Sequence, residues 1–205
     1  MKLLEIDFPK EGDLGIFGDV HSDILKLSQL LIQTSIPPNN KISWVSTGDI
    51  LDMKNSNQKA MELIIDQCNR FKVNVCKGNH DAAIKTSFCL PTDEVLNDKI
   101  KTWIECLPLG IKINGGERGN IYIFHSYPDD YWEFIEEDIT ERQFIDRFPV
   151  EDARYIFIGH NHKVFKKTFP YCETELYSIG SLHYNRKGPY CVVDQDFNVE
   201  FKTIV

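Results

Sequence analysis

Five short clusters hold the residues best suited to chemistry: Asp19-Val20-His21, Gly48-Asp49-Ile50-Leu51-Asp52, Gly78-Asn79-His80-Asp81, His125 and Gly159-His160-Asn161-His162. Between them they carry five of the chain's six histidines. Imidazole nitrogens and carboxylate oxygens are the mixed ligands that hold divalent transition metals, and a pair of such ions needs one group able to bridge both. A carboxylate with its two oxygens suits that task, and Asp49 is the candidate. Around it, Asp19, His21 and His162 are able to complete one ion, while Asn79, His125 and His160 are able to complete the other. The pattern implies a two-metal hydrolytic site, in which water held between the cations is acidified into a nucleophile at neutral pH.

The positions of these clusters matter as much as their composition. Each follows an apolar run that reads as a strand: Leu14-Gly15-Ile16-Phe17, Ile42-Ser43-Trp44-Val45, Val73-Asn74-Val75-Cys76, Ile121-Tyr122-Ile123-Phe124 and Tyr155-Ile156-Phe157-Ile158. Groups at strand ends converge on one crevice. Ile24, Leu25, Leu27, Leu30 and Leu31 have helical spacing, closed by Pro37-Pro38-Asn39-Asn40, and a second helix is expected from Gln58 to Phe71, with Met61, Leu63, Ile64, Ile65 and Cys68 as its buried stripe. Two strand-helix-strand units in succession imply parallel pairing.

Further on, a helix is expected from Asp93 to Cys106, then a hairpin of Ile111–Ile113 and Ile121–Phe124 around Asn114-Gly115-Gly116. The aromatic, acidic stretch from Tyr131 to Phe148 fits one or two helices. Short strands are expected at Val164–Phe169, Glu175–Ile179, Tyr190–Val193 and Val199–Ile204, making the second half largely antiparallel. With no repeat, low-complexity tract or dividing linker, the expectation is an α/β fold in one domain over residues 1–205: two mixed β-sheets packed as a sandwich, with helices outside.

Gross composition narrows the function classes. A chain of 205 residues with 42% apolar residues has enough material for a full core. A formal charge of −8 and a pI near 5.2 argue against a large phosphate-neutralising surface, so nucleic acid is not an expected partner. Cys68, Cys76, Cys89, Cys106, Cys172 and Cys191 are scattered, without a Cys-x-x-Cys pair, and read as buried thiols. Neither a leader-like apolar stretch in Met1 to Lys10 nor a membrane-spanning run is seen, so a cytoplasmic protein with no membrane partner is expected.

The ordered series Asp-x-His, Gly-Asp-x-x-Asp, Gly-Asn-His-Asp, a lone His after a strand and Gly-His-x-His resembles the calcineurin-like metallophosphoesterases, from Asp19 to His162. Singly the pieces are weak; in this order they are specific. The resemblance implies that Asp19, His21, Asp49 and His162 bind a first metal and Asp49, Asn79, His125 and His160 a second. It also implies that His80 protonates the leaving oxygen, with Asp52 orienting it, while a metal-bridging hydroxide attacks phosphorus. The family's two-sheet sandwich agrees with the pattern above. The modest length and Ser178-Ile179-Gly180-Ser181 look most like its small bacterial and archaeal phosphodiesterase branch. Manganese stands first for the two divalent ions, with iron, zinc, cobalt or nickel as alternatives.

Two departures stand against the protein-phosphatase and dinucleoside-tetraphosphatase branches. Met53-Lys54 follow Asp52 where those branches have a phosphate-gripping arginine, so the bidentate clamp is missing. Lys54 could grip through one donor, although a solvated lysine is the commoner case. Ser22 stands where a glycine is usual. The expected activity is therefore hydrolysis of small phosphodiesters or phosphomonoesters, with a serine/threonine protein phosphatase or dinucleoside polyphosphate hydrolase as the alternative, a non-catalytic scaffold third and a nuclease disfavoured. His183 reads as an ordinary satisfied imidazole. Asp81 is either an anchor for His80 or a helix-start acid. The acidic run from Asp129 to Asp138 is either a wall or lid of the substrate crevice or, as favoured, an amphipathic helix covering the sheet with a solvated acidic face.

Overall fold

Ile121-Tyr122-Ile123-Phe124 and Tyr155-Ile156-Phe157-Ile158 are apolar at every position, so a strand made from either has two faces to bury. The computed structural model of the chain, which describes residues 3–34, 41–52, 57–84 and 96–204, solves this with layers. Its elements, in order, are β1 (Leu3–Asp7), β2 (Asp13–Phe17), α1 (Ile24–Gln33), β3 (Ile42–Ser46), α2 (Gln58–Arg70), β4 (Asn74–Val75), α3 (Asn79–Ala83), α4 (Asp98–Cys106), β5 (Gly110–Asn114), β6 (Asn120–Phe124), α5 (Glu141–Arg147), β7 (Ala153–Ile158), β8 (Val164–Lys167), β9 (Glu175–Ile179), β10 (Pro189–Val193) and β11 (Val199–Thr203). One sheet has the order β1-β5-β6-β7-β9-β8, the other β11-β10-β2-β3-β4.

Alternation along each strand assigns its side chains to layers. Ile121, Ile123, Tyr155, Phe157, Tyr177 and Ile179 from the first sheet meet Leu14, Ile16, Val45, Cys191 and Val193 from the second in the layer between the sheets. The intervening residues Tyr122, Phe124, Ile156, Ile158 and Leu176 face outward, under Phe144 of α5 and the loop residues Ile135 and Ile139. On the far side of the second sheet, Phe17 and Trp44 are covered by Leu27, Leu30 and Leu31 of α1, Met61, Ile64 and Ile65 of α2, and Ile100 and Ile104 of α4. The fold is thus α/β, two mixed sheets packed face to face with helices outside.

Strand direction is what gathers the chemistry. β2, β3 and β4 pair in parallel in one sheet, and β6, β7 and β9 pair in parallel in the other. Their carboxyl ends therefore point one way within each sheet, and every cluster lies just beyond such an end. α1 is closed at its start by Asp23, whose Oδ1 accepts the Lys26 amide at 3.1 Å. α2 begins at Asn57 in the same way, with Oδ1 accepting from Ala60 N at 3.0 Å.

Several expectations need correction. The second half is antiparallel at β5–β6, the expected hairpin, and at β8–β9, β10–β11 and β10–β2, as expected, but β6–β7 and β7–β9 are parallel and were not anticipated. Only Glu141–Arg147 of the 131–148 stretch is helical, and residues 129–138 follow an irregular loop rather than an amphipathic helix. Leu25 and Leu63 are exposed, not part of their helices' buried stripes. β1 had no counterpart in the pattern reading. It pairs in parallel with β5, a partner more than a hundred residues away, which local periodicity does not reveal. Cys68, Cys76 and Cys191 are buried, as expected, whereas Cys106 is exposed and Cys172 half-buried; all five are free thiols. Cys89, Lys54, Pro37 to Asn40 and the start of the helix expected at Asp93 lie outside the described residues. Among those described, no helix is long and apolar enough to cross a membrane.

Candidate metal centre

The backbone at the clusters is under a constraint found at few other places in the described chain. His21 (φ 45°), Ser22 (63°), Asp49 (51°), His160 (66°) and His162 (57°) all lie in the left-handed region, where among the described residues only two other non-glycines, Lys72 and Phe197, join them. Each costs conformational energy that the surroundings must hold in place. Glycines make room for the carboxylates in between. A Cβ on Gly78 would stand 2.0 Å from Asp49 Oδ1, and one on Gly159 would stand 2.4 Å from Asp19 Oδ1. The motif glycines therefore let backbone approach a buried acid, as a side chain would not.

Three groups of His and Asp result, each able to hold a metal ion: Asp19, His21 and His162; His21, Asp49 and His80; Asp49, His125 and His160. Within each group the ligand atoms lie within 4.8 Å of one another. His162 Nε2 is 3.0 Å from Asp19 Oδ2 and 3.1 Å from His21 Nε2. Asn79 joins the third group, its Oδ1 being 2.8 Å from His125 Nε2. His80 Nδ1 and His21 Nδ1 both lie 3.3 Å from Asp52 Oδ2. All nine residues singled out from the sequence thus meet in one place.

The hydrogen-bonding roles show what this cluster lacks. His125 Nδ1 donates to the Thr47 carbonyl at 3.1 Å, which leaves Nε2 of the neutral ring as a lone pair. That lone pair faces Asn79 Oδ1 and, at 3.3 Å, Asp49 Oδ2. Asp49 Oδ2 is itself buried without a hydrogen bond. Acceptors aimed at acceptors in a dry interior need a positive charge between them.

The titration behaviour says the same. Burial opposes the charged form of His21, yet contacts with Asp19 and Asp52 outweigh it and push the ring up to about 10. Burial likewise opposes charge on His125, but Asp49 raises it to about 9. Burial would raise the Asp19 carboxyl; His162 and His21 instead hold it far below the usual carboxylate range. His160 is the exception, lowered by burial and by His125. Without a cation, protons fill the need for positive charge.

Outer contacts fix the rings. His160 Nε2 donates to the Trp132 carbonyl at 3.1 Å, so the irregular 129–138 loop walls the centre, and the favoured helix reading gives way to the wall reading. Ser22, the residue that stood in place of a glycine, accepts from Asp52 N at 2.8 Å and donates to Asp52 O at 3.3 Å, fixing the segment that carries Asp52. Asp81 is not an anchor for His80. It is fully buried, and its carboxylate accepts from Leu51 N at 2.9 Å and Gly78 N at 3.0 Å, tying the Asp49 loop to the Asn79 loop. Burial, then the Asp49 charge, raise it to about 7.

His183 bears out its ordinary reading to the extent that Nδ1 lies 3.2 Å from Asp23 Oδ2. Two site residues escaped the sequence reading. Tyr184 packs on His162 with ring centroids 4.5 Å apart, and Phe134 on His160 at 4.1 Å. A hint existed for each: Phe134 lies in the 129–138 run offered as a wall or lid, and the Gly180-Ser181 turn before Tyr184 follows β9 as the motifs follow their strands.

The fold and this centre define a class, and comparison with known proteins agrees. The model of the calcineurin-like phosphoesterase family matches residues 13–164, a span that holds all nine candidate residues. The chain belongs to that family. A metallophosphoesterase from Sphaerobacter thermophilus is similar in structure, at 19% identity and a TM-score of 0.66, with 96% of this chain and 89% of that chain covered. A hypothetical protein from Pyrococcus horikoshii OT3 gives 14% identity and a TM-score of 0.71 over 94% of this chain and 87% of that one. A putative diadenosine tetraphosphatase gives 14% identity and 0.60 over 98% and 97%. At these identities the structural likeness speaks for the fold alone. No curated protein matches the sequence.

Proposed function

We propose that the chain, acting as a single domain, is a dinuclear-metal-dependent phosphoesterase that hydrolyses phosphodiester or phosphomonoester bonds of small substrates. The observation that carries this reading is the set of unsatisfied acceptors around Asp49, whose buried Oδ2 lacks a hydrogen bond while the lone pair of His125 faces it. Asp19, His21, Asp49 and His162 would hold one ion, and Asp49, Asn79, His125 and His160 the other. When bound, the ions supply Lewis acidity for phosphoryl oxygens and lower the pKa of water. Manganese fits these ligands, as do iron, zinc, cobalt and nickel.

The protein's own groups do the rest. His80 is a third exposed, the right placement for a ring that meets solvent-borne substrate, and Asp52 beside its Nδ1 orients the ring so that Nε2 carries the proton to the leaving oxygen. His80 N also donates to Asp49 Oδ1 at 2.8 Å, which holds the acid and the bridging carboxylate in fixed relation. A small ester is favoured over a phosphoprotein or nucleic acid by the acidic, aromatic 129–138 wall and the net charge of −8. The five free thiols suit a reducing compartment, the cytoplasm.

The test is hydrolysis of an aryl phosphodiester and an aryl phosphomonoester with each of the five divalent ions and with a chelator. Turnover should require an added ion and vanish with chelator. Equal rates in the two conditions would sink the proposal.

A further inference from the structure

The Gly-His-x-His segment presents two imidazoles in strained left-handed positions, and each has an aromatic ring laid against it. Phe134 lies nearly parallel to His160, with centroids 4.1 Å apart and planes 12° apart. Tyr184 lies on His162 at 4.5 Å and 24°, and meets His21 edge-on at 5.0 Å. The two rings come from opposite sides in sequence, one before the motif and one after it. Both are more than half exposed, Phe134 at 58% and Tyr184 at 55%, so neither is placed there by burial in the core.

Their backbones are held as if position mattered. Ser126 Oγ donates to the Glu133 carbonyl beside Phe134. On the other side, Ser181 Oγ donates to Asp19 O and also accepts the Tyr184 amide at 3.1 Å. Lys26 Nζ donates to the carbonyls of His183 at 2.8 Å and Asn185 at 3.0 Å, pinning the turn that carries Tyr184 to α1.

Resting on the two-ion reading above, we infer that Phe134 and Tyr184 are positioning residues, each serving a different ion. Phe134 steadies His160, and so the ion shared by Asp49, Asn79 and His125. Tyr184 steadies His162 and His21, and so the ion held with Asp19. A ring on the outer face of an imidazole removes its freedom to swing away and shields it from water, leaving the ligand nitrogen aimed inward. The groups that supply the two ions are covered by separate rings, so their loss should be felt separately.

The test titrates metal-free protein with manganese(II) alone, by calorimetry, in the unchanged chain and in Phe134→Leu, Tyr184→Leu, Tyr184→Phe and His160→Ala. Phe134→Leu should weaken one of two binding events by on the order of 3- to 10-fold, the loss expected for one ring contact. Tyr184→Leu should weaken the other by a similar factor, and Tyr184→Phe should restore it. In a His160→Ala background, Phe134→Leu should add nothing. Both affinities unchanged, both lowered alike by either variant, or a full Phe134 effect without His160 would each overturn the inference. So would a raised KM for an aryl ester with both affinities intact, which would make the rings a platform for substrate. No uptake by the unchanged chain of manganese or of any of the other four ions would overturn the two-ion reading along with it, whereas the other contrary results would leave that reading standing.

Discussion

Two aspartates in this molecule sit in opposite circumstances. Asp152, at the amino end of β7, accepts from Lys112 Nζ at 2.8 Å, Asn120 Nδ2 at 2.7 Å and Tyr122 OH at 2.8 Å. Every neighbour is a donor, and the carboxylate needs nothing more. Asp49, beyond the carboxyl end of β3, is buried, and its Oδ2 lacks a hydrogen bond and faces His125 Nε2 at 3.3 Å, a lone pair whenever that ring is neutral. The first arrangement stabilises a surface; the second is incomplete without a cation. Acidity and proximity alone do not tell such sites apart, but the balance of donors against acceptors does.

The comparison can be broken most decisively at Asp49. Asp49→Ala should abolish uptake of both ions, seen as metal content after dialysis, and lower turnover by on the order of 10⁴-fold, because several kcal/mol of Lewis-acid stabilisation are lost. His80→Ala should keep both ions yet slow hydrolysis of esters with poor leaving groups by on the order of 10³-fold, with a much smaller loss on aryl esters whose leaving group needs no proton. Full turnover on a poor leaving group, with metal content intact, would remove His80 from the mechanism.

Milder effects follow for stability. Manganese at about 100 times its dissociation constant should stabilise the fold by about 2.7 kcal/mol, read as a raised melting temperature that a chelator reverses. Asp152→Ala, by contrast, should cost about 1 kcal/mol and leave turnover untouched, since its partners are partly exposed. Burial pushes the Asp152 carboxyl up, but Lys112, Tyr122 and Asn120 outweigh it and hold it below its ordinary value. Its contribution is therefore complete above the unfolded value of about pH 4 and lost as pH falls through the folded one, so denaturation curves of variant and parent should converge in acid.

What the sequence makes legible here is whatever local spacing encodes. The nine candidate residues could be named because each lies next to a strand whose apolar run is visible, and parallel pairing then brings the ends together. α1 and α2 were visible for the same reason, through their three- and four-residue spacing. The 129–138 segment misled because Trp132, Phe134 and Ile135 have helix-like composition, yet only Ile135 of the three is buried, and Trp132 spends its carbonyl on His160. Asp81 is the helix-start acid that one of its two readings named, at the first turn of α3, but half of its role was hidden. Its partners are the amides of Leu51 and Gly78, and only the folded approach of two loops brings the first of them near. β1 and the role of Tyr184 depend on neighbours far along the chain and leave no periodic trace.

The division of the candidate ligands between layers has a mechanical consequence. Asp19, Asp49 and Asn79 extend from β2, β3 and β4, whereas His125, His160 and His162 extend from β6 and β7. An ion seated among them is a rivet through the two plates of the sandwich at one edge, and sliding one plate over the other has to shear it. Loading the centre and locking the plates together are then the same event, so a chelator should loosen strands that lie well away from any metal.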